Sequence, residues 1–312
     1  MDIVLLLPGQ GSQKPGMARD IAEAFPAARE TLQSIDSAID VSLSSLMFEG
    51  PADELTRTHN AQPALLAHSA AVWAVVGRAI APHFRAAAGH SLGEFSAYHT
   101  TGVFTAPDAA RVVRQRGLLM FEQGTARPGA MAAILGTLNT SIDDLCRTAT
   151  AEAGLVVPAN YNGPEQTVIS GEVAGVERAM TLAKEAGAKR CLPLPVSGAF
   201  HSPLMAPAAA GLATVLKTVP MQDATIPVYV NVDGTAVREA SAARSLLVKQ
   251  LTSPVQWTRV MQNLATAFPD ALFVEMGTGS VLTGLARRIA PNVKTMSCGT
   301  IAEIDSLLEQ VA

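Results

Sequence analysis

The segment that most constrains the fold of this chain is Gly-His-Ser-Leu-Gly at residues 89–93. An apolar, strand-like run at residues 86–88 comes directly before it, and helix-compatible residues follow from Glu94 onward. Glycines two residues before and two residues after Ser91 allow a strand-to-helix turn too tight for larger side chains, so the Ser91 hydroxyl would stand exposed at its tip. Gly-x-Ser-x-Gly also occurs by chance, but this context predicts a nucleophile elbow at Ser91.

Composition indicates a globular protein without a general affinity for polyanions. The chain has 312 residues, of which 48% are hydrophobic and 16% charged, with a formal net charge of −4. This balance offers no general attraction to nucleic acid or to an anionic membrane. The cysteines at 146, 191 and 298 are far apart and without metal-ligand spacing. We therefore expect reduced cysteines in a cytoplasmic protein, and no metal site. The N-terminus has no basic segment followed by a long apolar one, so no signal peptide or membrane span is expected. We also expect a monomer.

Strand and helix patterns alternate along most of the chain and predict an α/β fold with a mostly parallel sheet. The continuous apolar run at residues 3–7 is typical of a central strand covered on both faces. Residues 129–196 instead predict the order β-α-β-β-α-β, which is the ferredoxin-like arrangement. We therefore expect a large α/β-hydrolase-like domain from residues 1–125 and 198–312. A ferredoxin-like subdomain at residues 126–197 would be inserted into it, leaving a cleft between the two.

A nucleophilic serine needs a base and an oxyanion hole, and the sequence offers a candidate for each. Only His99 and His201 follow Ser91, and His99 lies on the helix predicted directly after the elbow. His201 lies in a glycine-containing loop at the domain boundary, so we expect it to be the base. The backbone N–H groups of Leu92 and of Gln10, in the glycine loop after the first strand, are predicted to form the oxyanion hole. That loop lacks the Gly-Lys-Ser/Thr ending of a phosphate loop.

Arg116 lies on the apolar face of its predicted helix, in register with residues 112, 113, 119 and 120, whereas Arg111 and Arg114 are predicted to be solvated. A buried guanidinium must find an anion or carry a large desolvation cost. The anion could be a buried Asp or Glu, or part of a ligand.

Three further polar residues are candidates for the cleft. Gln62 precedes Pro63 at the predicted start of a long apolar helix that runs to about residue 80, with the proline in its first turn. If the N-terminus of this helix faces the site, Gln62 lies near Ser91. Asn160 and Asn162, at the inner hairpin of the subdomain, could be turn formers or hydrogen-bond donors in the cleft.

Seven motifs, spread over about residues 3–297, resemble in order those of malonyl-CoA:acyl carrier protein transacylases. They are GQGSQ at 9–13, QPAL at 62–65, GHSLGE at 89–94, QRG at 115–117, ANYN at 159–162, GAFHS at 198–202 and SPVQW at 253–257. The resemblance implies transfer of a malonyl group from coenzyme A to Ser91, and then to the phosphopantetheine thiol of an acyl carrier protein. It implies no tightly bound cofactor, since the coenzyme A thioester is the substrate.

The same resemblance assigns individual roles. Arg116 matches the arginine that pairs with the free malonyl carboxylate, and Gln250 matches the residue whose backbone carbonyl orients the histidine, so that a dyad replaces a triad. Phe200 matches the position at which malonyl-selective members carry phenylalanine, and its bulk should disfavour a 2-methyl branch. Gln62 and Asn162, inside matching motifs, are predicted to bind substrate. The chain departs from the family pattern at Phe95, where tyrosine is frequent, and at residues 98–101, where small apolar residues are usual.

Other functions remain open at this stage. An α/β hydrolase shares the elbow but places its histidine late in the chain, and no histidine follows His201. A patatin-like serine hydrolase would use a Ser-Asp dyad, for which Asp233 is the candidate. A carrier-protein docking module would need no nucleophile at all. Within the transferase interpretation, the acceptor could belong to fatty-acid synthesis, to a polyketide pathway or to a malonate decarboxylase.

Overall fold

The computed structural model describes residues 1–196 and 198–312, and two β-sheets organise it. In chain order, strands β1 to β10 span Ile3–Leu7, Phe84–Gly89, Ala130–Leu135, Val156–Gly163, Gln166–Gly171, Arg190–Pro193, Val228–Tyr229, Ala236–Val237, Leu272–Met276 and Lys294–Cys298. Helices α1 to α14 span Arg19–Ala24, Pro26–Ile39, Leu43–Glu49, Ala52–Thr56, Thr58–Ile80, Gly93–Thr100, Ala106–Ala126, Ile142–Ala153, Val173–Glu185, Ala206–Thr218, Ala240–Gln250, Trp257–Ala267, Val281–Ile289 and Ile301–Val311. A 3-10 helix covers Pro203–Met205.

The larger sheet has the strand order β10-β9-β1-β2-β7-β8. Its neighbours pair in parallel except for β7 and β8, which are antiparallel. All five residues of β1 are fully buried, because helices cover both faces of a parallel sheet at its centre. The predicted mostly parallel sheet with a central first strand is confirmed. The carboxyl ends of β1 and β2 lie side by side, with Leu7 paired to Gly89, so the loops that follow both strands meet at one edge.

The smaller sheet has the order β4-β5-β3-β6 with every pair antiparallel. Helices α8 and α9 pack on it around a separate apolar core that includes Ile134, Leu145 and Val176. This is the predicted ferredoxin-like β-α-β-β-α-β unit. The division of the chain at residues 125/126 and 197/198 stays a prediction, and the second boundary falls on Ser197, which lies outside the described residues.

Two backbone hydrogen bonds tie the smaller sheet to the segment that follows α11. The Val255 N–H donates to the Ala159 carbonyl at 2.8 Å, and the Tyr161 N–H donates to the Val255 carbonyl at 2.9 Å. Asn160 and Val255 thereby form a parallel bridge. We call this contact the Val255 bridge. The bridge attaches β4 of the smaller sheet to the segment between α11 and α12.

Helix α5 begins at Thr58, four residues earlier than predicted, so Pro63 lies inside the helix and not in its first turn. Proline lacks the N–H that would bond the carbonyl four residues earlier. Arg114 Nη1 donates to that carbonyl, of His59, at 2.5 Å and to Asn60 Oδ1 at 2.5 Å. Arg114 is therefore half-buried and not solvated as predicted, because it replaces the hydrogen bond that Pro63 cannot make.

Three other elements differ from the predictions. Residues 20–46, whose pattern of apolar and polar residues predicts helix throughout, are divided among α1, α2 and the start of α3, and neither β8 nor the terminal helix α14 was predicted. Helix α5 is long and apolar enough to cross a membrane by length and composition alone, but 72% of its most apolar window is buried among the described residues. It packs against α2 and α7, as a core helix does.

Candidate active site

Ser91 stands at the turn between β2 and α6, in the left-handed conformation with φ of 51°. The two glycines of the motif permit this turn through close backbone approaches. A Cβ on Gly89 would lie 1.9 Å from the carbonyl of Gly93, and a Cβ on Gly93 would lie 2.1 Å from the Leu7 carbonyl oxygen. No side chain fits at either distance, so the Gly-x-Ser-x-Gly spacing has the steric cause that the sequence suggested.

His201 meets Ser91 across the fold, on the loop that leads into the 3-10 helix. Ser91 Oγ lies 2.7 Å from His201 Nε2, and His201 Nδ1 lies 2.9 Å from the backbone carbonyl oxygen of Gln250. A carbonyl can only accept, so Nδ1 carries the proton and the bare Nε2 accepts from the serine hydroxyl. The imidazole is therefore held in the tautomer that a base for Ser91 requires.

The environment keeps His201 neutral. Its side chain is almost completely buried, and burial lowers its pKa to about 3, with the positive charge of Arg116 acting in the same direction. Both effects disfavour the imidazolium, so the base form persists far below neutral pH.

This pKa predicts a flat acidic limb in the pH profile. For malonyl-CoA as acyl donor, we expect no fall in kcat/KM from pH 7 down to pH 5, because kcat/KM reports ionisations of the free enzyme and His201 stays neutral over this range. A histidine with an ordinary pKa of about 6.5 would instead cause about a thirty-fold loss at pH 5. Initial rates with the wild-type chain at fixed ionic strength measure this. A thirty-fold fall would contradict the buried, neutral base.

Arg116 is fully buried on α7 and has no carboxylate within ion-pair distance in the described part of the chain. Its Nη1 donates to Gln62 Oε1 at 2.5 Å, and its Nη2 donates to Gln250 Oε1 at 3.0 Å and to Ser91 Oγ at 3.1 Å. Its Nε is buried without a partner among the described residues.

Burial lowers the pKa of Arg116 to about 10, so it remains a cation at neutral pH. The Phe95 ring lies 5.6 Å from the guanidinium carbon. The sequence left open whether Arg116 pairs with a buried Asp or Glu or with an anionic part of a ligand. No Asp or Glu is among its hydrogen-bonding partners in the described part of the chain.

A polar network behind the elbow holds Ser91 by both of its peptide groups. The Ser91 N–H donates to Asn231 Oδ1 at 2.7 Å, and the Ser91 carbonyl accepts from Gln250 Nε2 at 3.0 Å. Both holding residues are anchored on Glu94 Oε2, which accepts from the Asn231 N–H at 2.8 Å and from Gln250 Nε2 at 2.9 Å. Asn231 also donates from Nδ2 to the Gly89 carbonyl at 2.7 Å.

A cavity of about 220 Å³ opens at this site between the two sheets. Among the described residues its wall includes Ser91, His201 and Arg116, the predicted oxyanion residues Gln10 and Leu92, and the predicted substrate residues Gln62 and Phe200. Asn160 lies in the wall as well, whereas Asn162 lines a neighbouring cavity, where its Oδ1 lies 2.8 Å from His90 Nε2. Eight of the nine predicted site residues, Ser91 included, thus lie together: seven line the cavity, and Gln250 bonds the Ser91 carbonyl from behind. The ninth, Asn162, lines the neighbouring cavity.

Sequence reasoning gave no role to Asn231, to the Glu94 carboxyl or to the side chain of Gln250. Glu94 follows the elbow motif directly, but nothing in a linear pattern shows that its carboxyl is buried. Asn231 and Gln250 lie about 140 and 160 residues beyond Ser91, and only the fold brings them together. Asp233, the candidate of the hydrolase alternative, accepts from the N–H and hydroxyl of Thr235 and so caps its own turn.

Comparisons with known proteins agree with this geometry. Residues 4–304 match the family model described as acyl transferase domain. The malonyl CoA-acyl carrier protein transacylase of Bacillus subtilis is 45% identical over 95% of this chain and 92% of its own length. The crystal structure of the acyl-carrier-protein-S-malonyltransferase from Bartonella henselae superposes with a TM-score of 0.95 at 41% identity, covering 100% of this chain and 99% of that one. A malonyl-transacylase solved in complex with a type II PKS acyl-carrier protein superposes with a TM-score of 0.94 at 40% identity, covering 99% and 100%. This chain belongs to the malonyl-CoA:acyl carrier protein transacylase family.

Proposed function

We propose that this chain transfers a malonyl group from malonyl-CoA to the phosphopantetheine thiol of an acyl carrier protein through a malonyl ester on Ser91. The observation that carries the proposal is a buried guanidinium that has no carboxylate partner among the described residues and donates to the hydroxyl of an activated serine at 3.1 Å. Only an acyl group that brings its own carboxylate can complete the coordination of Arg116 beside Ser91. Malonyl is a small acyl group with this chemistry, and relatives over nearly the whole chain carry the corresponding name.

In the first half-reaction, Ser91 Oγ attacks the thioester carbonyl while His201 Nε2 accepts the hydroxyl proton. The backbone N–H groups of Gln10 and Leu92 stabilise the oxyanion. Within the described chain neither of them donates to a loop or cap acceptor. Removing one such donor from an oxyanion hole costs about 3 kcal/mol of barrier stabilisation. The intermediate collapses by breaking the carbon–sulfur bond, and the imidazolium returns its proton to the departing coenzyme A thiolate.

In the second half-reaction the carrier thiol replaces coenzyme A. His201 Nε2 accepts the thiol proton, the thiolate attacks the malonyl ester, and the proton passes to Ser91 Oγ as the ester bond breaks. The Gln250 carbonyl keeps Nδ1 protonated through both halves, so the imidazolium is stabilised by a backbone dipole instead of a carboxylate. Seryl ester and thioester therefore exchange without net consumption of protons.

The remaining residues shape the acyl pocket. Gln62 accepts from Arg116 and donates from Nε2 to Met120 Sδ at 3.4 Å, which fixes the direction of the guanidinium. Phe200 lies in the cavity wall, where its bulk would disfavour a 2-methyl branch. The expected discrimination between malonyl and 2-methylmalonyl is about 1–3 kcal/mol. We assign Asn162 to holding His90, next to the nucleophile, because it contacts that imidazole and is not among the residues lining the Ser91 cavity.

The proposal includes no tightly bound cofactor, a monomeric cytoplasmic enzyme, and no nucleic-acid or membrane partner. The net charge of −4 argues against a nucleic-acid partner, and the burial of the apolar helix α5 argues against a membrane partner. The coenzyme A thioester is consumed as a substrate.

Transfer to a panel of purified holo carrier proteins tests the function and identifies the acceptor. The panel contains carriers from fatty-acid synthesis, from a polyketide pathway and from a malonate decarboxylase. We expect free coenzyme A and malonyl-carrier to form in equal amounts with at least one of them, measured by thiol release and intact mass. Release of free malonate at the same rate with and without any carrier would instead show a hydrolase.

A further inference from the structure

The nucleophile Ser91 is held in an unfavourable backbone conformation by a polar network that includes one buried carboxyl, that of Glu94. Its φ of 51° lies in the left-handed region, which residues other than glycine rarely adopt without support from their surroundings. The support comes from Asn231 on the Ser91 N–H and from Gln250 on the Ser91 carbonyl. Oε2 of Glu94 accepts a hydrogen bond from each of these two residues.

Gln250 also extends this anchor to the guanidinium. Its Nε2 donates to Glu94 and to the Ser91 carbonyl, and its Oε1 accepts from Arg116 Nη2 at 3.0 Å. Its backbone carbonyl accepts from His201 Nδ1. A displacement of Gln250 therefore changes the positions of the nucleophile, the base and the cation together.

The state of Glu94 follows from its surroundings. Its side chain is 0% exposed, it forms no ion pair within the described chain, and its Oε1 has no partner there. An ionised carboxylate in such a place would carry a large desolvation cost. The charged and titratable groups that face it are Arg116 on α7, Asp233 on the turn after β7, and Tyr98 one turn along its own helix. Burial outweighs the attraction of Arg116 and raises the pKa of Glu94 to about 7.

We propose that Glu94 is a positioning residue for acyl transfer: its carboxyl, in the neutral form with the proton on Oε1, anchors Asn231 and Gln250 and thereby sets Ser91 and Arg116 in the reactive geometry. The inference rests on the proposed function. In this neutral form the carboxyl leaves the charge of Arg116 available for the malonyl carboxylate. Glu94 itself touches neither substrate nor reacting atoms.

Glu94→Gln and Glu94→Leu separate positioning from packing. Glutamine resembles the neutral acid, since its amide oxygen can accept from both Asn231 and Gln250, and we expect its single-turnover acylation rate to stay within about threefold of wild type. Leucine fills the space but leaves both donors unpartnered, and misplacement of the nucleophile should slow acylation about 10²-fold with a smaller change in KM. Ser96→Ala, a buried serine on the same helix whose hydroxyl has no partner in the described chain, is the matched control and should acylate like wild type.

The outcomes distinguish this inference from the proposed function. If wild-type chain forms the malonyl adduct and Glu94→Leu forms it equally fast, Glu94 is not a positioning residue. If Glu94→Gln is as slow as Glu94→Leu, the neutral form is wrong. If Glu94→Leu does not fold, Glu94→Asp serves instead, because a side chain one methylene shorter cannot reach both donors and should slow acylation in the same way. Failure of the wild type to form any adduct would overturn the proposed function itself.

A thermal unfolding series tests the protonation state without any activity. The folded-state pKa of Glu94 is raised above its unfolded value, so the native state holds the proton while the unfolded state loses it between about pH 4.5 and pH 7. The free energy of unfolding of the wild type therefore falls across this window relative to Glu94→Gln, which has no proton to lose. We expect the Tm of Glu94→Gln minus that of wild type to rise from pH 5 to pH 7.5, while the difference for Ser96→Ala stays constant. A constant difference for Glu94→Gln would show that the carboxyl is ionised throughout.

Discussion

Ser91→Ala leaves no malonyl ester on the chain after incubation with malonyl-CoA, and transfer to carrier protein falls by as much as about 10⁶-fold, as for other serine nucleophiles. Alanine keeps the Cβ and therefore the same backbone demand at φ of 51°, so the elbow itself is retained. What is lost is the hydroxyl that lies 2.7 Å from His201 Nε2. Intact mass of acid-quenched samples, followed by peptide mapping, measures the adduct.

Ser96→Ala is again the matched control, because it removes a buried hydroxyl five residues further along without touching the site. We expect it to form the adduct at the wild-type rate. A malonyl ester that persists in Ser91→Ala and maps to another residue would contradict Ser91 as the nucleophile.

Arg116→Ala reduces malonyl transfer far more than acetyl transfer. Losing one partner of a buried charge pair costs about 2–5 kcal/mol, which is roughly 30- to 4,000-fold in kcat/KM at 1.4 kcal/mol per tenfold. Acetyl-CoA has no free carboxylate, so its rate loses only the contribution of the contacts that Arg116 makes with Ser91, Gln62 and Gln250. The ratio of the two kcat/KM values therefore isolates the carboxylate contact.

Arg116→Lys provides the graded control for this experiment. Lysine keeps the positive charge but cannot reproduce the planar fork that binds a carboxylate with two parallel hydrogen bonds. We expect an intermediate preference for malonyl over acetyl. Equal losses for both acyl groups in Arg116→Ala would remove the carboxylate role and leave Arg116 a structural residue.

The parts of the site that could be predicted from sequence are those with a local cause. The glycines at 89 and 93 mark the elbow because their spacing reflects contacts with adjacent backbone, and the inward face of Arg116 follows from helical periodicity alone. His201 was found because few histidines follow Ser91. The roles of Phe200 and of the Gln250 carbonyl came only with the family resemblance.

What could not be predicted depends on contacts between distant segments. The start of α5 was missed because Pro63 normally marks a first turn, and nothing in the linear pattern shows that Arg114 satisfies the carbonyl it leaves free. Asn231 and Glu94 carry ordinary polar side chains, and their importance lies in one shared hydrogen bond formed across the fold. The sequence does not distinguish Asn160 from Asn162 at the inner hairpin, and only the fold shows that Asn160 lines the Ser91 cavity whereas Asn162 lines the neighbouring one and contacts His90.

The Val255 bridge limits how the cleft can admit a long thioester arm. Gln250, whose carbonyl steadies the imidazole, is only five residues before Val255, and that short segment is tied to β4 by two backbone hydrogen bonds. A hinge that swung the ferredoxin-like unit outward would have to rupture this tie or drag the carbonyl away from its histidine. A wide opening of the cleft at this edge is therefore incompatible with a correctly oriented His201. The pantetheine arm consequently has to enter a cavity between the sheets that is largely preformed.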